Sequence, residues 1–118
     1  MSNVIRIISK KILKPDYSRV SFIEYTNELS ESAKKQNGFI KSNSYWKTPV
    51  QKYNKPDSQI SNDLIVISIS DWKDISYWND WYGSDKRNSI HSKYNFILQS
   101  EDFSLLNKKM VNDDVFLL

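Results

Sequence analysis

The chain has 118 residues, 17 Lys or Arg against 14 Asp or Glu, one histidine, no cysteine and only two glycines, so disulfides, thiolate metal sites, a cysteine nucleophile and glycine-rich nucleotide loops are excluded. The net charge of +3 comes from lysines scattered among acids (Lys10, Lys11, Lys14, Lys34, Lys35, Lys41, Lys47, Lys52, Lys55), with arginine only at Arg6, Arg19 and Arg87; that is a solvated-surface pattern and argues against a nucleic-acid partner. The length predicts a single domain over 1–118, and with neither a signal-peptide core at the start nor an apolar run near the ~20 residues that span a bilayer, a soluble, cytoplasmic protein with no membrane partner is expected.

Val4 to Leu13 alternates and is rich in Val and Ile, which predicts a strand ended by Lys14-Pro15-Asp16. From Tyr17 to about Gln36, Phe22, Leu29 and Ala33, with Ile23 and Thr26 alongside, recur at helical spacing, and Asn37-Gly38 supplies a left-handed stop. Phe39 to Lys47 is a second, loosely alternating strand that includes Trp46, and Thr48 to Asn62, with Pro49 and Pro56, reads as a long surface loop. Leu64 to Ile69 is almost unbroken and β-branched, the pattern of a strand buried on both faces. Two helical regions can cover one sheet face only, so the other is expected to be covered by a second copy of the chain.

Asp71 or Asp74 can cap a short helix with Ile75, Trp78 and Tyr82 on one stripe, which Gly83 stops. Ser84 then caps a helix on which Arg87, Ile90, His91, Tyr94 and Leu98 share the inward face. Phe103 to Met110 reads as the last strand, and the apolar tail Val115 to Leu118 as a docking segment. The order βαββαβ is an α+β, ferredoxin-like antiparallel sheet with helices on one face.

Three of the four tryptophans, Trp72, Trp78 and Trp81, fall within ten residues of one another and close to the lone His91. Buried indoles need partners for their N–H groups, so the cluster reads either as core filling or as the wall of an aromatic pocket. In the pocket reading Tyr77, Asn79 and His91 are the polar groups placed to meet developing charge, and Trp46, Trp78 and Tyr94 are candidate substrate contacts. For Trp72, core or dimer packing is the simpler role, and Arg87 is expected to pair with Asp80 or Asp85. His91 is open to three readings: a satisfied helix histidine, an iron ligand, or an acid–base group.

The helix end Ala33-Lys-Lys-Gln-Asn-Gly-Phe-Ile40, the strand Ile65-Val-Ile-Ser-Ile-Ser-Asp-Trp72 and the segment Trp78 to Arg87, in this order, resemble the antibiotic-biosynthesis-monooxygenase family over nearly the whole chain. The resemblance implies a homodimer in which two sheets pack into an α+β barrel, with a pocket between each sheet and its own helices. It implies a cofactor-free monooxygenase acting on a small aromatic or polycyclic substrate, with His91, Trp81 and Asn79 as catalytic groups. Locally, Trp72-x8-Trp81-x2-Ser84-Asp85-x5-His91 is similar to the heme-degrading branch, which would make heme the cofactor, place Trp81 on the porphyrin and make His91 the axial ligand. The first strand offers Val4 or Ile5 where that branch carries an asparagine. A non-catalytic dimeric ligand-binding module is the third possibility.

Overall fold

The computed structural model describes residues 4–15, 19–47 and 64–107. Its elements are β1 (Ile5–Leu13), α1 (Arg19–Lys34), β2 (Phe39–Trp46), β3 (Leu64–Trp72), α2 (Ile75–Tyr82), α3 (Asp85–Tyr94) and β4 (Leu98–Leu106). The four strands form one antiparallel sheet in the order β2-β3-β1-β4, the α+β, ferredoxin-like arrangement expected from the sequence. The expected 48–62 loop, the tail at 115–118 and the extension of the last strand to Met110 lie outside the described residues.

Alternation decides which sheet face is covered. On β1, Ile5, Ile7, Ser9, Lys11 and Leu13 are buried, and their cross-strand partners on β3 are Trp72, Ser70, Ser68, Val66 and Leu64. Above this face Phe22, Tyr25, Leu29 and Ala33 of α1 and Trp81, Ile90 and Tyr94 of α2 and α3 complete the core. The opposite face carries Ile8 and Ile12 beside Ile65, Ile67 and Ile69, which are only half-buried. Among the described residues the double burial expected of β3 is therefore not met, because none of their helices lies over its odd-numbered residues.

The caps follow the sequence signals. Asp74, not Asp71, starts α2: its carboxylate accepts from the Ser76 N–H at 3.1 Å. Asp71 instead takes a two-pronged ion pair from Arg6, at 2.8 and 3.1 Å. Ser84 caps α3 by accepting from the Arg87 N–H at 3.2 Å. Gly38, at φ +78°, occupies the left-handed turn into β2, and a Cβ there would lie 2.2 Å from the Tyr77 ring, so conformation and space both require glycine.

The last strand begins five residues before the expected Phe103. Leu98 continues the helical spacing of Ile90 and Tyr94, but a 3-10 turn at Asn95–Ile97 ends the helix and Leu98 pairs with Leu13 of β1. Another difference concerns Lys11, which composition assigns to the solvated surface. Its side chain is 6% exposed, because the parity that buries Ile5, Ile7 and Ser9 carries it inward as well.

Candidate functional site

Between the covered sheet face and helices α1 and α2 lies a cavity of about 60 Å³. Its base is built from hydroxyls: Ser9 on β1, Ser68 on β3 and Ser44 on β2 form one cross-strand row, and Ser70 and Ser42 sit in the next. Ser44 and Ser68 hydrogen-bond at 2.7 Å, and Ser30 of α1 meets Ser42 at 3.4 Å. Small polar side chains at inward positions leave a gap where a two-layer core would hold larger apolar groups. The helices close over it with Leu29, Trp78 and Trp81, and Trp72 of β3 and Phe103 of β4 add aromatic walls from the sheet.

The indoles are held in place by their own hydrogen bonds. Trp72, fully buried, donates to Ser70 Oγ at 3.0 Å, and Trp81 donates to Ser32 Oγ at 3.1 Å. Trp72 lies 6.0 Å from Trp81 and meets the edge of Phe39 at 5.4 Å. Trp78 stacks on Tyr82 at 4.8 Å and leans on Phe103 at 5.6 Å. The cavity shares Thr26 and Ser44 with an adjoining groove of about 160 Å³ lined also by Phe22, Asn27, Tyr45 and Trp46. Thr26 Oγ1 is buried there without a hydrogen-bond partner.

One end of the cavity is charged. Lys11 Nζ donates to Ser9 Oγ at 3.0 Å, lies 3.7 Å from Glu101 Oε2 and sits 5.5 Å from the centre of the Phe103 ring. Glu101, the cross-strand partner of Lys11, also accepts from Arg87 Nη2 at 2.8 Å. Arg87 thus pairs with Glu101 rather than with Asp80 or Asp85, and its guanidinium stacks over Tyr82 at 4.4 Å. Burial pushes the Lys11 amine down to about 8 against the opposing pull of Glu101, with the charge of Arg87 acting in the same direction as burial. Burial also pushes the Glu101 carboxyl up, but Lys11, Arg87 and His91 outweigh it and hold it below its usual range.

The sequence-derived candidates divide. Trp78 and Trp81 line the cavity, as does Trp72. Trp46 lines the adjoining groove, edge-on to Phe22 at 5.7 Å and under the Arg19 guanidinium at 5.0 Å. Asn79 is exposed on α2, and Tyr77 covers Gly38 instead of facing the cavity. Tyr94 packs on Tyr25 at 5.3 Å and donates its hydroxyl to Glu28. His91 is not among the lining residues; its Nδ1 lies 3.0 Å from Tyr25 Oη, which donates to Glu101 Oε2 at 3.1 Å. With that single hydroxyl proton directed at Glu101, the hydrogen between the two residues belongs to His91 Nδ1. Sequence reasoning missed Lys11, Glu101 and the serine base. The signal for the serines was their shared parity with Trp72, and for Lys11 its parity with Ile7.

No protein-family model and no curated protein matches the sequence. Solved structures do match. SnoaB, a cofactor-independent oxygenase from Streptomyces nogalater, superposes with a TM-score of 0.70 at 8% identity, over 95% of this chain and 99% of that one. The chain has the fold of the antibiotic-biosynthesis monooxygenases. A conserved protein from Methanosarcina mazei Go1 matches with a TM-score of 0.70 at 21% identity, covering 92% of this chain and 95% of that one. A candidate antibiotic biosynthesis monooxygenase from Nitrosomonas europaea matches with a TM-score of 0.70 at 9% identity, covering 93% and 94%. This monooxygenase-type fold carries its cavity on the helix-covered sheet face, and no helix among the described residues is long and apolar enough to cross a membrane.

Proposed function

We propose that the protein is a cofactor-independent oxygenase of a small, one-ring aromatic substrate, bound between the sheet and helices α1 and α2. The observation that carries this reading is the cavity walled by Trp72, Trp78 and Trp81. Its indoles present flat apolar faces to a ring and exclude water, while the serine base offers hydrogen bonds to ring oxygens. The cavity of about 60 Å³ is smaller than the roughly 150 Å³ that encloses a benzene ring, so the ring extends into the groove of about 160 Å³ beside it, and the two together suit one ring rather than a polycyclic substrate. Trp78 and Trp81 act as walls in this account. His91 and Asn79, outside the cavity, do not touch the substrate.

The chemistry needs only substrate and oxygen. An ionised phenol passes an electron to dioxygen, the radical pair joins at a ring carbon, and the peroxide loses water to leave a quinone. One oxygen atom stays on the ring, and the other leaves as water with the phenolic and ring hydrogens. The chain's part is to bind the ring, keep water out and stabilise the oxyanion. The SnoaB likeness supports the oxygenase class.

Heme does not fit this site. His91 is absent from the cavity wall, and the space is far below the roughly 300–1,000 Å³ of ordinary ligand and cofactor pockets. Among the described residues no group of three or more His, Cys, Asp or Glu could hold a metal ion. The uncovered face of Ile8, Ile12, Ile65, Ile67 and Ile69 favours a homodimer joined sheet to sheet; sedimentation as a monomer at micromolar concentration would contradict it.

The test is oxygen uptake by purified protein, without added cofactor, on a panel of one-ring phenols and hydroquinones with three-ring analogues in parallel. Uptake with quinone formation on one-ring compounds is expected. Uptake confined to three-ring compounds, or none with any substrate, would overturn the reading.

A further inference from the structure

Two buried cations share one buried carboxylate at the end of the cavity. Lys11 and Arg87 have side chains 6% and 5% exposed, and among the described residues Glu101 is the only carboxylate within ion-pair distance of either. The count leaves one positive charge uncompensated on buried side chains, an arrangement that a bound anion would relieve. Of the two cations it is Lys11 that lines the cavity. Its ammonium has three N–H donors, and the structure gives it one hydrogen bond, to Ser9, besides the longer contact with Glu101. The unpartnered Thr26 hydroxyl lies on the same cavity wall. The amine meets Ser9 on its own strand and Glu101 and Phe103 on β4 and feels the charge of Arg87 on α3, while Glu101 in turn meets His91 of α3 and Tyr25 of α1.

We propose that Lys11 makes this cavity a site for the ionised form of a one-ring phenol or enol, whose oxyanion lies against the ammonium while its ring lies under the indoles. When the amine arrives neutral, the phenolic proton moves to Nζ; when it arrives charged, the proton leaves to solvent and the ammonium is retained. Either path ends in the same ion pair. The inference rests on the cavity being a site for a small aromatic, and it names the group that prepares such a substrate for electron transfer.

4-Nitrophenol tests it, because the phenolate is yellow and the phenol colourless. At about pH 6, where most of the free compound is protonated, the wild-type protein is expected to develop a saturable yellow band, since an opposite charge lowers a phenol's pKa by roughly 1–3 units. Lys11→Met is expected to weaken phenolate binding about tenfold or more while still binding uncharged 4-methylphenol, followed by tryptophan fluorescence. Lys11→Arg, which keeps the charge, retains the band, and thermal melts show whether each variant is folded. The proposal is overturned if the wild type binds 4-nitrophenol colourless or not at all, or if folded Lys11→Met keeps the band. A band without oxygen uptake on any phenol would sink the oxygenase reading and leave this one standing. Uptake with an unchanged pH profile in Lys11→Met would do the reverse.

Discussion

Replacing Glu101 with alanine is expected to lower stability by about 3–5 kcal/mol, because it leaves Lys11 and Arg87 buried side by side without a counter-charge. In a domain of this size that is a fall in Tm of roughly 15 °C. Arg87 has little room to adjust: its Nε is already buried without a partner and its guanidinium is pinned over Tyr82 at 4.4 Å. The pH dependence follows from the sign of the shift. The Glu101 carboxyl is held below its ordinary value of 4.5, so its stabilisation is complete above that value and is lost as pH falls through the lower, folded-state value. Denaturant melts should therefore show the gap between wild type and Glu101→Ala narrowing in acid. Lys11 acts in the same sense at higher pH: its amine is lowered to about 8 from 10.5, so native stability rises with pH across that window as well, and Lys11→Met should flatten the rise. An equal gap at every pH would mean that the carboxylate does not compensate the two cations.

Trp72→Ala is expected to cost about 3–5 kcal/mol, the range for truncating a large aromatic in a packed core. The indole is fully buried, wedged between Phe39 at 5.4 Å and Trp81 at 6.0 Å, and pairs with Ile5 across β1 and with Phe39 across β2. Its removal also leaves Ser70 Oγ without its indole donor at 3.0 Å. Because Trp72 lines the cavity, the variant should have a larger cavity and recover part of its Tm when a ring compound such as indole is added. A fall in Tm of only a few degrees would mean that the roof collapses into the gap, and it would remove the rigid wall on which the substrate-size argument depends.

Much of the fold was legible because its signals are local. The alternation of Val4 to Leu13, the caps Asp74 and Ser84 and the left-handed Gly38 each act within a few residues, and each has its counterpart in the structure. Leu98 was misplaced because helical spacing continues past Tyr94, while the pairing with Leu13 that claims it for β4 is long-range. The site was legible only as its roof. Trp78 and Trp81 announce themselves by size, but a serine on the inward face of a strand resembles any surface serine until its neighbours across the sheet are known. Lys11 shows the same conflict: charge assigns it to solvent and parity assigns it to the interior. Parity wins because the register sets Glu101 directly opposite it. His91 attracted attention as the lone imidazole, yet its partner is Tyr25 on α1, a contact that no spacing within the 72–91 segment reveals.

Entry of a small aromatic into the cavity between the sheet and the helices is the step on which the proposed function depends. The four tryptophans supply four indole N–H resonances, assignable by single Trp→Phe substitutions, and these can be followed in a nitrogen–proton correlation spectrum as 4-methylphenol is added. Saturable shifts of Trp72, Trp78 and Trp81, larger than any at Trp46, are the predicted result. Shifts confined to Trp46, or none at saturating ligand, would place binding outside the cavity and contradict the account.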